Sequence, residues 1–193
     1  MVLSRPYPVS LPMKRLLLSL SLLAAATALA AQETRTEKTS APNPADVRPN
    51  SDAVPAGYAI DTRFERVVVL RFKYDTDLLA GLESMVRQEK IRNAVILSGI
   101  GSVRGYQYHV VSNRGFPSKD LFIRNPAEPA DLVSMNGCVI NGRIHAHVMF
   151  GGAGGAFGGH LESGTTVFTF AIVTLGVVDD AANFDRLDDK TYR

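Results

Sequence analysis

Apolar residues follow two periods along this chain, and the changes between them outline its elements. Residues 66–72 (RVVVLRF) are β-branched and apolar and predict a strand. Asp75, Thr76 and Asp77 follow as N-cap candidates that also make the first turn negative. Leu78, Leu79, Leu82, Met85 and Val86 then recur at helical spacing, with Arg87, Glu89 and Lys90 on the other side, which predicts an amphipathic helix over residues 77–90. Residues 94–99 (AVILSG) predict a second strand, buried on both faces, and residues 106–111 (YQYHVV) a third. Residues 116–129 hold three prolines and read as a loop or an edge. Residues 132–140 and 143–150 predict two strands joined at Asn141-Gly142, a strong hairpin turn signal. Residues 165–176 (TTVFTFAIVTLG) predict a long apolar strand.

One helix against about six strands with hairpin connections predicts an α+β fold. Its sheet is largely antiparallel and packs with one main amphipathic helix. A small barrel-like sheet packed on that helix is the alternative architecture. The folded domain is expected over residues 57–178. Residues 179–193 form an acidic tail, weakly ordered in expectation, with Phe184 and Leu187 as its apolar docking candidates.

The N-terminal pattern differs from the rest. From Met13 the chain reads MKRLLLSLSLLAAATALAAQ: two basic residues, an apolar run too short to span a bilayer, then Ala28-Leu29-Ala30 with the small-x-small spacing of a cleavage site. Residues 1–31 are therefore expected to be a secretory signal peptide, with Met13 a better start for it than Met1, and the mature protein is expected to be periplasmic or secreted. A retained N-terminal anchor is the alternative. Residues 32–56 are rich in Pro, Ser, Thr, Asn and charge and nearly free of large apolar side chains, so they read as a disordered linker.

Charge changes the picture once the signal is removed. The full chain of 193 residues carries 21 Lys and Arg against 19 Asp and Glu. Residues 1–31 hold three of the basic residues and no acidic one, which leaves 18 against 19, a net charge of −1. That balance argues against nucleic acid as a partner, because duplex binding draws on a positive face that displaces counterions. The single cysteine, Cys138, excludes an intramolecular disulfide and a Cys-rich zinc site, and its apolar neighbours mark it as a small hydrophobe.

The candidate chemistry lies in residues 143–164, RIHAHVMFGGAGGAFGGHLESG. On a strand, His145 and His147 share a face, with Ile144, Ala146 and Val148 on the other. His160 follows a glycine-rich loop long enough to return it beside them. Three neutral imidazoles with an open position describe a catalytic-type zinc site, and Glu162 is then a partner of a ligand, a general base, or only an exposed side chain. The competing reading has the histidines hydrogen-bonding across strands or lining a subunit interface. His109, alone on its strand, reads as structural. The glycine run has neither the Lys-Ser/Thr end of a phosphate loop nor a βαβ setting; it reads as a tight reversal, or as a close pass by a neighbouring subunit or an anion, anchored by Phe157.

GRIHAHVMF, GGHLESG and the long apolar strand after them resemble the plants-and-prokaryotes-conserved (PPC) domain family. VVVLRFKYDTDLLAGLESMV and AVILSGIGSVRGYQYHV add to the resemblance, which covers residues 63–178. It implies a mainly antiparallel α/β domain assembled as a homotrimer. It also implies that His145, His147 and His160 lie together near a subunit boundary, with zinc as the metal of prokaryotic members. The chain lacks the Arg-Gly-Arg-Pro hook of the plant DNA-binding relatives, and Ile172 stands where the last strand often carries Glu. The leading expectation is an exported trimer with a metal or small-molecule site at the three histidines. A zinc-dependent enzyme with Glu162 as base is the second reading. DNA binding, by family analogy alone, is the third.

Overall fold

The structure, a computed structural model, describes residues 35–38, 55–114 and 118–188. The segment expected to be a signal peptide lies outside the described residues, as does most of the 32–56 segment. That segment does supply one short strand, β1 (Arg35–Lys38), where the sequence suggests only linker.

The other elements are β2 (Phe64–Lys73), α1 (Leu78–Gln88), β3 (Ala94–Val111), β4 (Asp120–Asn125), β5 (Ala130–Ile140), β6 (Arg143–Gly152), β7 (Gly155–Leu161) and β8 (Thr166–Val178). Every strand pairing is antiparallel. The expected antiparallel sheet and single helix are both present, but the balance is not an even α+β. The domain is mostly sheet, and α1 is the one helix among the described residues.

Two departures from the sequence reading shape the site. The strands expected at 94–99 and 106–111 are one 18-residue strand, β3. Its register with β8 shifts three times between Ile96 and Gly105, so it bends without breaking, and each half finds different partners. The first half pairs with β5 and β8, and the second with β4 and β7. Since β5, β6 and β7 pair in succession, the path β3–β5–β6–β7 returns to β3 and closes a ring. Strand β4, expected as loop or edge, pairs with β3 and with β1.

The glycine-rich run is the second departure. Only Ala153 and Gly154 form the turn; Gly151 and Gly152 end β6 and the remaining residues lie in β7, so a hairpin replaces the expected loop. Glycine serves close approach here. A Cβ at Gly158 would overlap the Val148 carbonyl oxygen, and one at Gly159 the His109 carbonyl oxygen. Asn141 and Gly142 both have positive φ (50° and 77°), as a tight type I′ hairpin turn requires.

Tyr106, Tyr108 and Phe150, all buried, pack with the partly buried Phe157 as an aromatic cluster. Helix α1 buries Leu78, Leu82 and Val86. Its N-cap, Asp77, accepts from Ala80 N at 3.0 Å and from Gly164 N at 2.6 Å, tying the helix start to the β7–β8 connection. In the tail, Phe184 packs with Ile140, Val178 and Ala182 in a second small core, whereas Leu187 stays exposed.

Candidate metal centre

Four histidines meet on one face of the ring. His109 of β3 pairs in register with His160 of β7, His160 with His147 of β6, and His147 with Asn136 of β5. Directly opposed residues of an antiparallel pair share a face. His145 stands two residues from His147, and Glu162 two from His160, so the alternation of side chains brings both to the same face. The intervening Ala146 and Leu161, and Val148 after His147, are buried. The end of β7 is held by Glu162 N donating to Gln107 O at 3.1 Å. The buried Thr165 hydroxyl supports it by accepting from Gln107 N (3.0 Å) and donating to Gln107 O (2.9 Å).

The three histidines picked out from the sequence converge. The His160 ring centroid lies 4.9 Å from that of His145 and 5.4 Å from that of His147, edge-on to both. Nε2 of His145 and Nε2 of His147 are 3.3 Å apart. Two imidazole nitrogens bonded to one tetrahedral zinc at ~2.0–2.1 Å stand about 3.3–3.4 Å apart, so this pair already has the spacing of one edge of a zinc tetrahedron. His160 Nδ1 lies 3.1 Å from Leu161 O and 3.6 Å from Glu162 Oε1. A ring whose Nδ1–H is held in this way presents Nε2 as the free lone pair.

His109 and Glu162 form a second, overlapping group. The ligand atoms of His109, His160 and Glu162 lie within 4.8 Å of one another, so a metal set that omits His145 and His147 is also geometrically open. Among the described residues this is the set whose ligand atoms meet that spacing, whereas the histidine trio rests on the 3.3 Å pair and on ring proximity. His109 Nδ1 is 2.6 Å from Glu162 Oε1, a hydrogen-bond distance and shorter than the ~3.3 Å between two ligands of one tetrahedral ion. His109 and Glu162 therefore fit better as a bonded pair beside the trio than as two ligands within it.

Electrostatics keeps the ligands available. Burial lowers the His147 pKa below the usual histidine value, and His145 and His109 push it the same way. Burial also lowers that of His160, with His109 and His145 adding to the effect and Glu162 opposing it. Both rings are thus biased toward the neutral form that binds a metal. Cys138, opposite His145 in the β5–β6 register, is half-buried, and burial raises its thiol pKa, in keeping with a small hydrophobe. Ile172 pairs with Ile100 and Arg71, so the residue at the family's Glu position sits nine residues along β3 from His109.

The family model for the Plants and Prokaryotes Conserved (PCC) domain matches residues 60–179, and the chain belongs to that family. Its fold is similar to that of a metal-containing protein from Archaeoglobus fulgidus (24% identity, TM-score 0.56, 70% of this chain and 95% of that one). It is also similar to a plant- and prokaryote-conserved protein from Pyrococcus horikoshii (24% identity, TM-score 0.52, 63% of this chain and 85% of that one). A curated relative, the bifunctional protein GlmU of Synechococcus sp. (strain JA-3-3Ab), is 26% identical over 129 residues, 66% of this chain. The chain spans only 20% of that protein's length.

His109 is the residue that sequence reasoning undervalues. It is not alone: its strand partner is itself a histidine. The HVV context carries no sign of this, because the β3–β7 pairing that joins the two depends on the bend in β3.

Proposed function

We propose that this chain is an exported, trimeric PPC-domain protein that binds a divalent transition metal, zinc first, through His145, His147 and His160. The observation that carries the reading is the 3.3 Å Nε2–Nε2 spacing of His145 and His147, with the His160 ring edge-on to both. Three imidazoles leave one position of a tetrahedral ion for a small ligand, and the metal-containing relative from Archaeoglobus fulgidus is consonant with this. Zinc titration of tag-free protein against a chelator of known affinity tests it. One tight equivalent per chain, lost in His147→Ala and His160→Ala, supports the reading. Equal weak binding by wild type and variants contradicts it.

The trimer draws support from an uncovered apolar face on β2, β8 and β3, where Val69, Ile100, Phe168 and Phe170 are exposed. A contiguous apolar sheet face of this kind favours burial against another copy. Export rests on the N-terminal pattern and is tested by N-terminal sequencing of native protein, with Ala31 or Gln32 expected first. With a net charge of −1 after cleavage, the mature chain is expected to bind duplex DNA no better than a neutral control.

One observation favours an enzymatic variant of this reading. The 2.6 Å His109–Glu162 pair lies against His160, where it can accept or donate a proton beside the metal position. The metal would supply Lewis acidity there.

A further inference from the structure

The stretch matched by the family ends at residue 179, yet the chain continues to the histidine site. Beyond β8 the tail is pinned at several points. Asn93 Nδ2, buried, donates to Ala182 O at 3.1 Å. Phe184 is buried in the second core. Asn141 Nδ2 donates to Asp185 Oδ1 at 2.6 Å. These anchors bring Asp188 over the start of β6, where Oδ2 accepts from Arg143 Nη2 at 3.1 Å and lies 3.1 Å from His145 Nδ1. Its side chain is two-thirds covered.

The placement is specific to one edge of one ring. His145 turns Nε2 toward His147 and Nδ1 toward Asp188. An imidazole can offer a lone pair on only one nitrogen, and the proton on the other is fixed by what it meets. A carboxylate on the far nitrogen holds the proton there, orients the ring and strengthens the ligating nitrogen. Arg143, the other group facing Asp188, holds the carboxylate in place without competing for the ring's ligating edge.

We infer that Asp188 is a positioning residue for the metal centre: it fixes His145 as the Nδ1–H tautomer and aims Nε2 at the position shared with His147 and His160. This rests on the metal reading above and extends it, because it makes a tail outside the family domain part of the site.

Two readouts test it on the full mature chain. Long-range proton–nitrogen correlation spectra of histidine-labelled, metal-free protein report the tautomer of His145 directly. The wild type should show Nδ1–H, and Asp188→Ala should lose that preference. Asp188→Asn keeps an acceptor oxygen but not the charge, so it should retain the preference. Zinc affinity, measured by chelator competition, should fall about 10–100-fold in Asp188→Ala, the usual scale for losing a ligand's partner, and less in Asp188→Asn. An Asp131→Ala control, which removes an exposed carboxylate elsewhere, should leave affinity unchanged. Melting curves that match among these proteins exclude loss of fold as the cause. A wild-type His145 carrying its proton on Nε2 overturns the inference, as does zinc bound equally well by wild type and Asp188→Ala. A wild type that binds no zinc overturns the metal reading itself, and the role of Asp188 with it.

Discussion

His109 and His160 stack across the β3–β7 seam at directly paired positions, with ring centroids 4.5 Å apart and planes 20° apart. His145 and His147 are stacked as well, with planes 29° apart, yet they turn Nε2 toward each other at 3.3 Å, so stacking alone does not set a ring's role. Both rings meet His160 edge-on, at 79° and 78°. What separates two histidines that are neighbours in space is the 2.6 Å contact of His109 Nδ1 with Glu162 Oε1: it fits His109 as a supporting ring and leaves His160 as the ligand.

The first prediction follows from that difference. His160→Ala removes a ligand and should abolish tight zinc binding. His109→Ala removes a supporting ring and should weaken binding by about 10–100-fold at most. Chelator competition on the two variants checks the order. Equal losses would return His109 to the ligand set.

The β3–β7 seam itself is testable. A Cβ at Gly159 would meet the His109 carbonyl oxygen, with Val110 and Tyr108 side chains also inside van der Waals distance. Gly159→Ala should therefore destabilise the fold by about 1–3 kcal/mol or more, the usual range for overpacking, and weaken metal binding as the seam opens. At Gly154, in the turn, a methyl group would have nothing within 4 Å, and Gly154→Ala should stay within about 0.5 kcal/mol. Urea denaturation midpoints of the two variants decide the matter.

How far the sequence carries depends on the range of the information. The HxH pattern, the amphipathic helix and the Asn141-Gly142 turn are local, and each is found where its residues place it. His160 joins the trio through a simple count of residues to the end of the glycine run. The run itself misleads, since two of its glycines, Gly158 and Gly159, lie in a strand where neighbouring backbone carbonyls leave no room for a Cβ. His109 and Asp188 are not legible as site residues. One depends on a strand bent between Ile96 and Gly105 to pair on both edges, and the other on a tail docked by Phe184. Both are long-range outcomes that no short window contains.

Assembly gives a third prediction. Ile100 and Phe170 are exposed on the sheet face formed by β2, β8 and β3. Ile100→Asp and Phe170→Asp place a charge on that face without entering the core. Each should shift the mass seen by light scattering from trimer toward monomer while leaving the far-ultraviolet circular dichroism unchanged. A wild type that is monomeric at micromolar concentration would remove the trimer from the account.

The lowered pKa values of His147 and His160 predict a pH dependence of the metal-free fold. Unfolding returns both to the ordinary value near ~6.5, so below that pH the unfolded chain takes up protons first. Their contribution to stability is full above ~6.5 and is lost as pH falls through their lower folded values. Urea midpoints of chelator-treated protein should drop between pH 7.5 and 5, and the drop should shrink in a His147→Ala, His160→Ala double variant. An unchanged drop would assign the effect to other groups.

The most direct measurement is X-ray absorption at the zinc edge, on tag-free mature protein loaded with one equivalent. Three imidazole nitrogens at about 2.0–2.1 Å are expected, with an oxygen ligand completing four-coordination, and one imidazole fewer in His147→Ala. A first shell without imidazole scattering, or a spectrum identical in wild type and His147→Ala, would contradict the claim that His145, His147 and His160 form the metal centre.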